Sequence, residues 1–298
     1  MAGIAAGLAS SPGAVSRLCA AVGPPVAVSV ASGASPGANA RKAVEALGGM
    51  GAFVSRGDIV VVKPNIGWDR TPEQAANTHP DAVVAVAEMC LAAGAKAVRI
   101  FDRTCNEPRR CYRNSGIEEA VERFARKNHA SDALRIYHVE ARKFVRTEIP
   151  GALALDEWEL YRDVLEADKV VNVPVAKVHS LSDVTLGLKN LMGVMGGNRG
   201  QIHSRIAECL VDVNRRVPSR LTVIDASRVL LRNGPSGGDL ADVRELGMAF
   251  ASADVVAADA VAAEKVFRRK AEDVSHIRKA MESGLGISSA SQIRILKA

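Results

Sequence analysis

From Val26 onward the chain alternates short, almost wholly apolar runs with stretches whose apolar residues recur at helical spacing. VAVSV (26–30) predicts a strand, and Asn39 to Met50 predicts a helix closed by Gly48 and Gly49. Asp58 leads into IVVVKPN, a buried strand with Lys63, Pro64 and Asn65 at its carboxyl end. Pro80 opens a helix at its first turn, with Val83, Val84, Ala87 and Leu91 along one side and Gly94 closing it. KAVRIFD (96–102) is the next strand, ending at Asp102. Strand, helix and strand in close succession make a βαβ unit, which requires a parallel sheet with a right-handed crossover.

The middle of the chain is less regular. Ile117 to Lys127 reads as a helix, and RIYHVE, KFVRTEI and GALAL read as short antiparallel strands before a helix near Trp158. DKVVNVPVAKVH then repeats the earlier design: an apolar strand, Pro174, and polar Lys177 and His179 beyond it. Val184 to Val194 is helix-like, the glycine cluster GVMGGNRG (193–200) follows, and a further helix starts at Ile202. LTVID (221–225) reads as a strand ending at Asp225, ahead of the turn-rich RNGPSGG (232–238). LGMAFAS, Val255 to Phe267 and QIRILK complete the chain as strand, helix and strand. The whole predicts an α/β protein with mixed, largely parallel sheets and flanking helices, arranged as two lobes around a crevice. The expected lobes are residues 26–165 and 166–298, after an Ala/Gly/Ser-rich tail of residues 1–25.

Composition narrows the function. The chain has 298 residues, 48% hydrophobic and 24% charged, which is globular composition and argues against disorder. No apolar run reaches the ~18–20 residues of a membrane span. Five cysteines without a C-x-x-C pair exclude a disulfide scaffold, a zinc ribbon and an intrinsic iron–sulfur cluster motif. The net charge of +6 gathers between Arg109 and Arg146, where ten Lys/Arg stand against five Asp/Glu. That segment reads either as a solvated surface or as attraction for an anionic partner. Nucleic acid is not expected, because basic residues are not interleaved with aromatics. In the tail, AAGLASSPGA resembles the end of a twin-arginine-type signal but lacks a basic leader, so both export and the cytoplasm stay open. Oligomeric state is not indicated.

The candidate chemistry stands at strand ends. Lys63, Asn65, Asp102, Lys177, His179 and Asp225 follow apolar strands, and in open parallel sheets ligands bind beyond those carboxyl ends. Each alone reads equally as a turn former or a solvated residue. Lys177 to His203 is the densest stretch, adding Lys189, Asn190, Arg199 and His203, with Gly196 and Gly197 placed to let backbone amides approach an anion. No Walker loop occurs, which disfavours a P-loop nucleotidase, and a serine hydrolase is not expected. His179 or His203 would serve as acid or base, oriented by Asp102 or Asp225. His79, His179 and His203 would be the ligands if a transition metal takes part, although no paired-histidine spacing prebuilds such a site. His129, His138 and His276 read as loop or surface residues, and Cys105 and Cys111 as incidental thiols.

VVVKPNIGWDR, ADKVVNVPVAKVHSLSDVTLGLKNLMGVMGGNRGQIH and VIDA…RNGPSGG together resemble the domain-of-unknown-function 362 family, from about Val26 to the C-terminus. The resemblance places Lys63, Asn65, Lys177, His179, Lys189, Asn190, His203, Asp225 and Asp259 on motif positions, and implies no settled activity. Many relatives carry four-cysteine cluster motifs absent from this chain, and others are exported. The layout is also similar, as analogy, to nickel-pincer lactate racemase, which uses Lys and His between α/β lobes. Two functions follow as expectations: an enzyme acting on a carboxylate- or phosphate-bearing small molecule or cofactor, with metal assistance open, or a non-catalytic anion, cofactor or metal binder.

Overall fold

Ile59 to Val62 offers no polar side chain to leave in water, so its strand is covered on both faces: Val60 and Val62 join one core and Val61 another. The computed structural model describes residues 25–298, and the signal-like segment lies outside the described residues. The strands are β1 (Val26–Ser32), β2 (Ile59–Pro64), β3 (Ala97–Ile100), β4 (Leu134–Ile136), β5 (Phe144–Glu148), β6 (Glu157–Tyr161), β7 (Lys169–Val173), β8 (Val175–His179), β9 (Asp183–Thr185), β10 (Leu221–Leu230), β11 (Val243–Ser252) and β12 (Ile293–Lys297).

Ten of them form one mixed sheet in the order β12-β1-β11-β10-β7-β2-β3-β4, with β8 pairing β10 and β9 pairing β8. β11 and β9 run against the rest, so the sheet is largely parallel. The Pro36–Glu45, Pro80–Ala92 and Ile117–Lys127 helices cover one face. The Val255–Phe267, Ser275–Glu282 and Ile206–Arg216 helices cover the other, together with the β5–β6 hairpin. Among the described residues no helix is long and apolar enough to cross a membrane.

The two expected lobes share this one sheet. β2 pairs with β7 from Val60↔Lys169 to Pro64↔Val173, and β1 lies between β11 and β12. The crevice is therefore a groove over the carboxyl ends of one sheet rather than a gap between two. Local corrections follow from packing. GALAL is a turn-rich loop whose amides at Leu153, Ala154 and Leu155 are held by the Asp212 carboxylate. Trp158 lies in β6, not in a helix, and only Arg162–Leu165 turns helically after it. RIYHVE contributes a strand only at its start, parallel to β3. Val184 to Val194 is not one helix: β9 is followed by a helical turn at Gly187–Asn190 and a 3₁₀ turn at Leu191–Val194.

Candidate functional site

The carboxyl ends of β2, β3 and β8 open into a cleft of about 520 Å³. Its lining includes Asn65 and Trp68 after β2, Asp102 to Cys105 after β3, and Lys177 and His179 on β8. The Gly187–Val194 segment adds Lys189, Asn190 and Met192, and the following turn adds Arg199 and His203. Eight of the expected residues thus meet in one place.

The wall of the cleft rests on an amide network. Asn190 Nδ2 donates to Lys63 O at 2.9 Å and to Asn172 Oδ1 at 2.8 Å, and its Oδ1 accepts from Asn65 Nδ2 at 3.2 Å. These bonds tie β2 and β7 to the turn that carries Lys189. Asp259, fully buried, accepts from the Gly187 and Leu188 amides at 2.7 and 2.8 Å and anchors the start of that turn. Burial pushes its carboxyl up to about 7, against those two donors.

Lys63 lies under the cleft and does not line it. Its fully buried ammonium meets Asp102 Oδ1 at 2.9 Å and Pro64 O at 2.6 Å. Burial lowers its pKa and Asp102 opposes the shift. A Cβ on Gly193 would overlap both Asp102 Oδ1 and the Lys63 ammonium, so only glycine lets the backbone close over this pair. Asp102 Oδ2 accepts from the Ile66 amide at 2.6 Å, which completes the seal.

Above it the cations lack acidic partners. Lys177, 1% exposed, donates to Ala76 O at 2.5 Å and to Asn65 Oδ1 at 3.4 Å, and stands 5.9 Å over the Trp68 ring. Burial, with repulsion from Lys189 and Lys63, brings its pKa down to about 7. Lys189, 7% exposed, finds only the Met192 Sδ at 3.1 Å, and burial with repulsion from Arg199 brings it to about 8. Arg199 donates to Arg103 O, Met192 O and Thr104 O, and at 3.4 Å to Cys105 Sγ. Among the described residues the one carboxylate lining the cleft is Asp102, already engaged by Lys63.

The two imidazoles have complementary tautomers. His179 Nδ1 accepts from the Leu181 amide at 3.1 Å, which leaves Nε2 as the N–H. Burial and the neighbouring lysines push this ring down to about 3, so it is neutral near pH 7. His203 Nδ1 lies 2.8 Å from Gly200 O and donates to it, which in the neutral ring leaves Nε2 free to accept. The rings are stacked with centroids 6.3 Å apart.

Other expectations are corrected. His79 caps the Pro80–Ala92 helix, with Nδ1 accepting from the Asp81 amide, and is not among the residues lining the cleft. Asp225 accepts from the His79 and Ser227 amides, so it organises a turn and orients no imidazole; Asp102 orients none either. The histidine trio is not assembled: among the described residues no three His, Cys, Asp or Glu side chains form a metal-binding group. Gly196 and Gly197 form no anion nest. The Gly196 amide donates to Glu159 O at 2.7 Å, and a side chain there would strike Glu159 and Phe144 of the hairpin. His276 is fully buried with neither ring nitrogen hydrogen-bonded, not at the surface. The basic stretch is largely paired, through Arg123–Glu119, Arg126–Glu122, Arg142–Glu140 and Arg146–Glu157, and behaves as solvated surface. Sequence reasoning missed Trp68 and set aside Cys105, although both lie in loops directly after strands it had identified.

The model of the domain of unknown function DUF362 matches residues 60–264. The chain belongs to the DUF362 family. The chain is 29% identical over 239 residues to the thylakoid-associated protein sll1697 of Synechocystis, covering 75% of this chain and 68% of that protein. Among solved structures it is similar to the lactate racemase apoprotein of Thermoanaerobacterium thermosaccharolyticum, at 11% identity and a TM-score of 0.45 over 76% of this chain and 54% of that one. A structural-genomics protein from Thermotoga maritima gives 11% identity and a TM-score of 0.36, over 69% of this chain and 54% of that one. The chain therefore spans about half the length of these structures.

Proposed function

We propose that this DUF362 protein is an enzyme whose cleft binds a carboxylate- or phosphate-bearing small molecule, with the two imidazoles handling a proton. The observation that carries the reading is the charge arrangement: Lys177, Lys189 and Arg199 share one cleft whose lone carboxylate, among the described residues, is held by a further cation beneath it. Buried ammonium groups without acids are costly in the empty protein, and an anion supplies the missing partner. Arg199 and Lys177 are held by backbone carbonyls and contribute field, whereas Lys189, beside the Met192 thioether, is the group free to turn toward a ligand.

The imidazoles divide the proton work. His179, neutral, donates from Nε2 to a ligand oxygen and stabilises charge developing there. His203 accepts a proton at Nε2 while its Nδ1–H stays on Gly200 O. Among the described residues no carboxylate pairs with either ring, and the bound anion supplies the charge balance during transfer.

Calorimetric titration with inorganic phosphate and simple carboxylates tests the binding. Lys177→Met and Lys189→Met should each weaken it about tenfold or more, equivalent to ~1.4 kcal/mol or more. Failure of every anion to bind, or wild-type affinity in both variants, overturns the reading. Proton NMR of bound anions in D₂O then separates an enzyme from a binder. Chemical change or C–H exchange that disappears in His203→Ala marks catalysis, and tight binding without change marks the non-catalytic alternative.

A further inference from the structure

The lysines of the cleft are not equivalent, and the difference carries a more specific inference, which rests on the anion reading above. Lys177 is already engaged: it donates to Ala76 O and Asn65 Oδ1 and stands over the face of Trp68. Lys63 is held by Asp102 and Pro64 O. Among the described residues Lys189 has a single neighbour within hydrogen-bonding distance, a thioether, which is a weak acceptor and gives an ammonium little reason to persist. It is nonetheless buried, lines the open cleft, and sits on a turn fixed at its start by Asp259 and just beyond Lys189 by the Asn190 network.

We propose that Lys189 is a carbonyl-capturing amine that forms an imine with the aldehyde or ketone group of an anionic ligand held in this cleft. The lone pair of neutral Nζ adds to the carbonyl carbon, and the C=O π pair moves to oxygen, which takes up a proton while nitrogen gives one up. The carbinolamine then loses its hydroxyl as water with a second proton from nitrogen, leaving C=N. No oxidant or reductant takes part. The His179 Nε2–H is the cleft's neutral donor for the carbonyl oxygen, and the Arg199 guanidinium supplies the fixed positive charge for the anionic end. Burial and Arg199 lower the Lys189 pKa to about 8, so a useful fraction is the nucleophilic free amine near neutral pH, where exposed lysines remain ammonium.

Pyridoxal 5′-phosphate, an aldehyde bearing phosphate, is the probe. The full-length protein is incubated with it near neutral pH, reduced with borohydride, and mapped by peptide mass spectrometry. Inorganic phosphate binding is measured in parallel. The inference predicts one dominant adduct on Lys189, suppressed by excess phosphate, and lost in Lys189→Arg at unchanged melting temperature. Labelling spread over exposed lysines with Lys189 unmodified, while phosphate still binds, overturns the imine and leaves the anion site standing. Absence of phosphate binding overturns both.

Discussion

Lys63 and Lys189 are both nearly inaccessible to water, yet their surroundings differ. Lys63 meets a carboxylate and a backbone carbonyl, closed over by Gly193, and the pair has no room for anything else. Lys189 meets sulfur and faces an open volume. The first region is complete as it stands, and under the proposed function the second is completed by a ligand. A buried charge with partners is structure, whereas a buried charge without them marks a site. The same contrast separates the acids: Asp225 and Asp259 are consumed by backbone amides, and among the described residues no acid stands ready for Lys177 or Lys189.

This contrast can be broken by substitution. Lys63→Met leaves the Asp102 carboxylate buried and unpaired, and should cost about 3–5 kcal/mol in urea denaturation. Gly193→Ala drives a methyl group into the same pair and should destabilise comparably; a loss under about 1 kcal/mol in both would deny that this pair is sealed. Asp225→Ala should cost about 1–3 kcal/mol by orphaning two amides, with anion binding unchanged. Lys189→Met should be the mildest, neutral or slightly stabilising, because it removes an ammonium that has no oxygen partner.

Protonation sharpens the same point. Lys177 titrates near 7 in the folded protein against 10.5 when solvated, so between these values the unfolded chain binds more protons and stability rises with pH. The stability of Lys177→Met relative to wild type should accordingly be most favourable below pH 7 and lose that advantage by pH 10.5. His179, pushed down to about 3 from 6.5, acts at the acid end: stability falls as pH drops from 6.5 toward 3, and His179→Phe should remove part of that loss.

The apolar runs made most of the sheet legible. β2, β3, β7 with β8, the start of β10, and β12 were all readable, as were the Pro80–Ala92, Ile117–Lys127 and Val255–Phe267 helices. Strand-end chemistry also pointed to the cleft, because the parallel sheet delivers those ends to one edge. Partnership was not legible. Nothing near Lys63 in the chain announces that Asp102 and Gly193 will close around it, and nothing near Gly196 announces that Glu159 takes its amide. Val184 to Val194 looked helical because its apolar residues keep the spacing, but Asp183 turns at φ +63° and Gly187 is pressed against Asp259 and Thr222. β6 was missed because EWELY alternates only briefly and its partner lies across a loop.

Trp68 stands in the cleft beside Lys177 and only one other tryptophan, Trp158, is present, so a Trp158→Phe protein carries its own reporter. Its fluorescence, titrated with oxalate at about pH 6 and about pH 9, tests the central claim without a known substrate, since oxalate keeps its charge across that range. The account predicts saturable quenching at the lower pH and an affinity weaker by about tenfold or more at the higher, as Lys177 and Lys189 lose their protons. Absence of binding at either pH, or binding that ignores pH across this range, would contradict it.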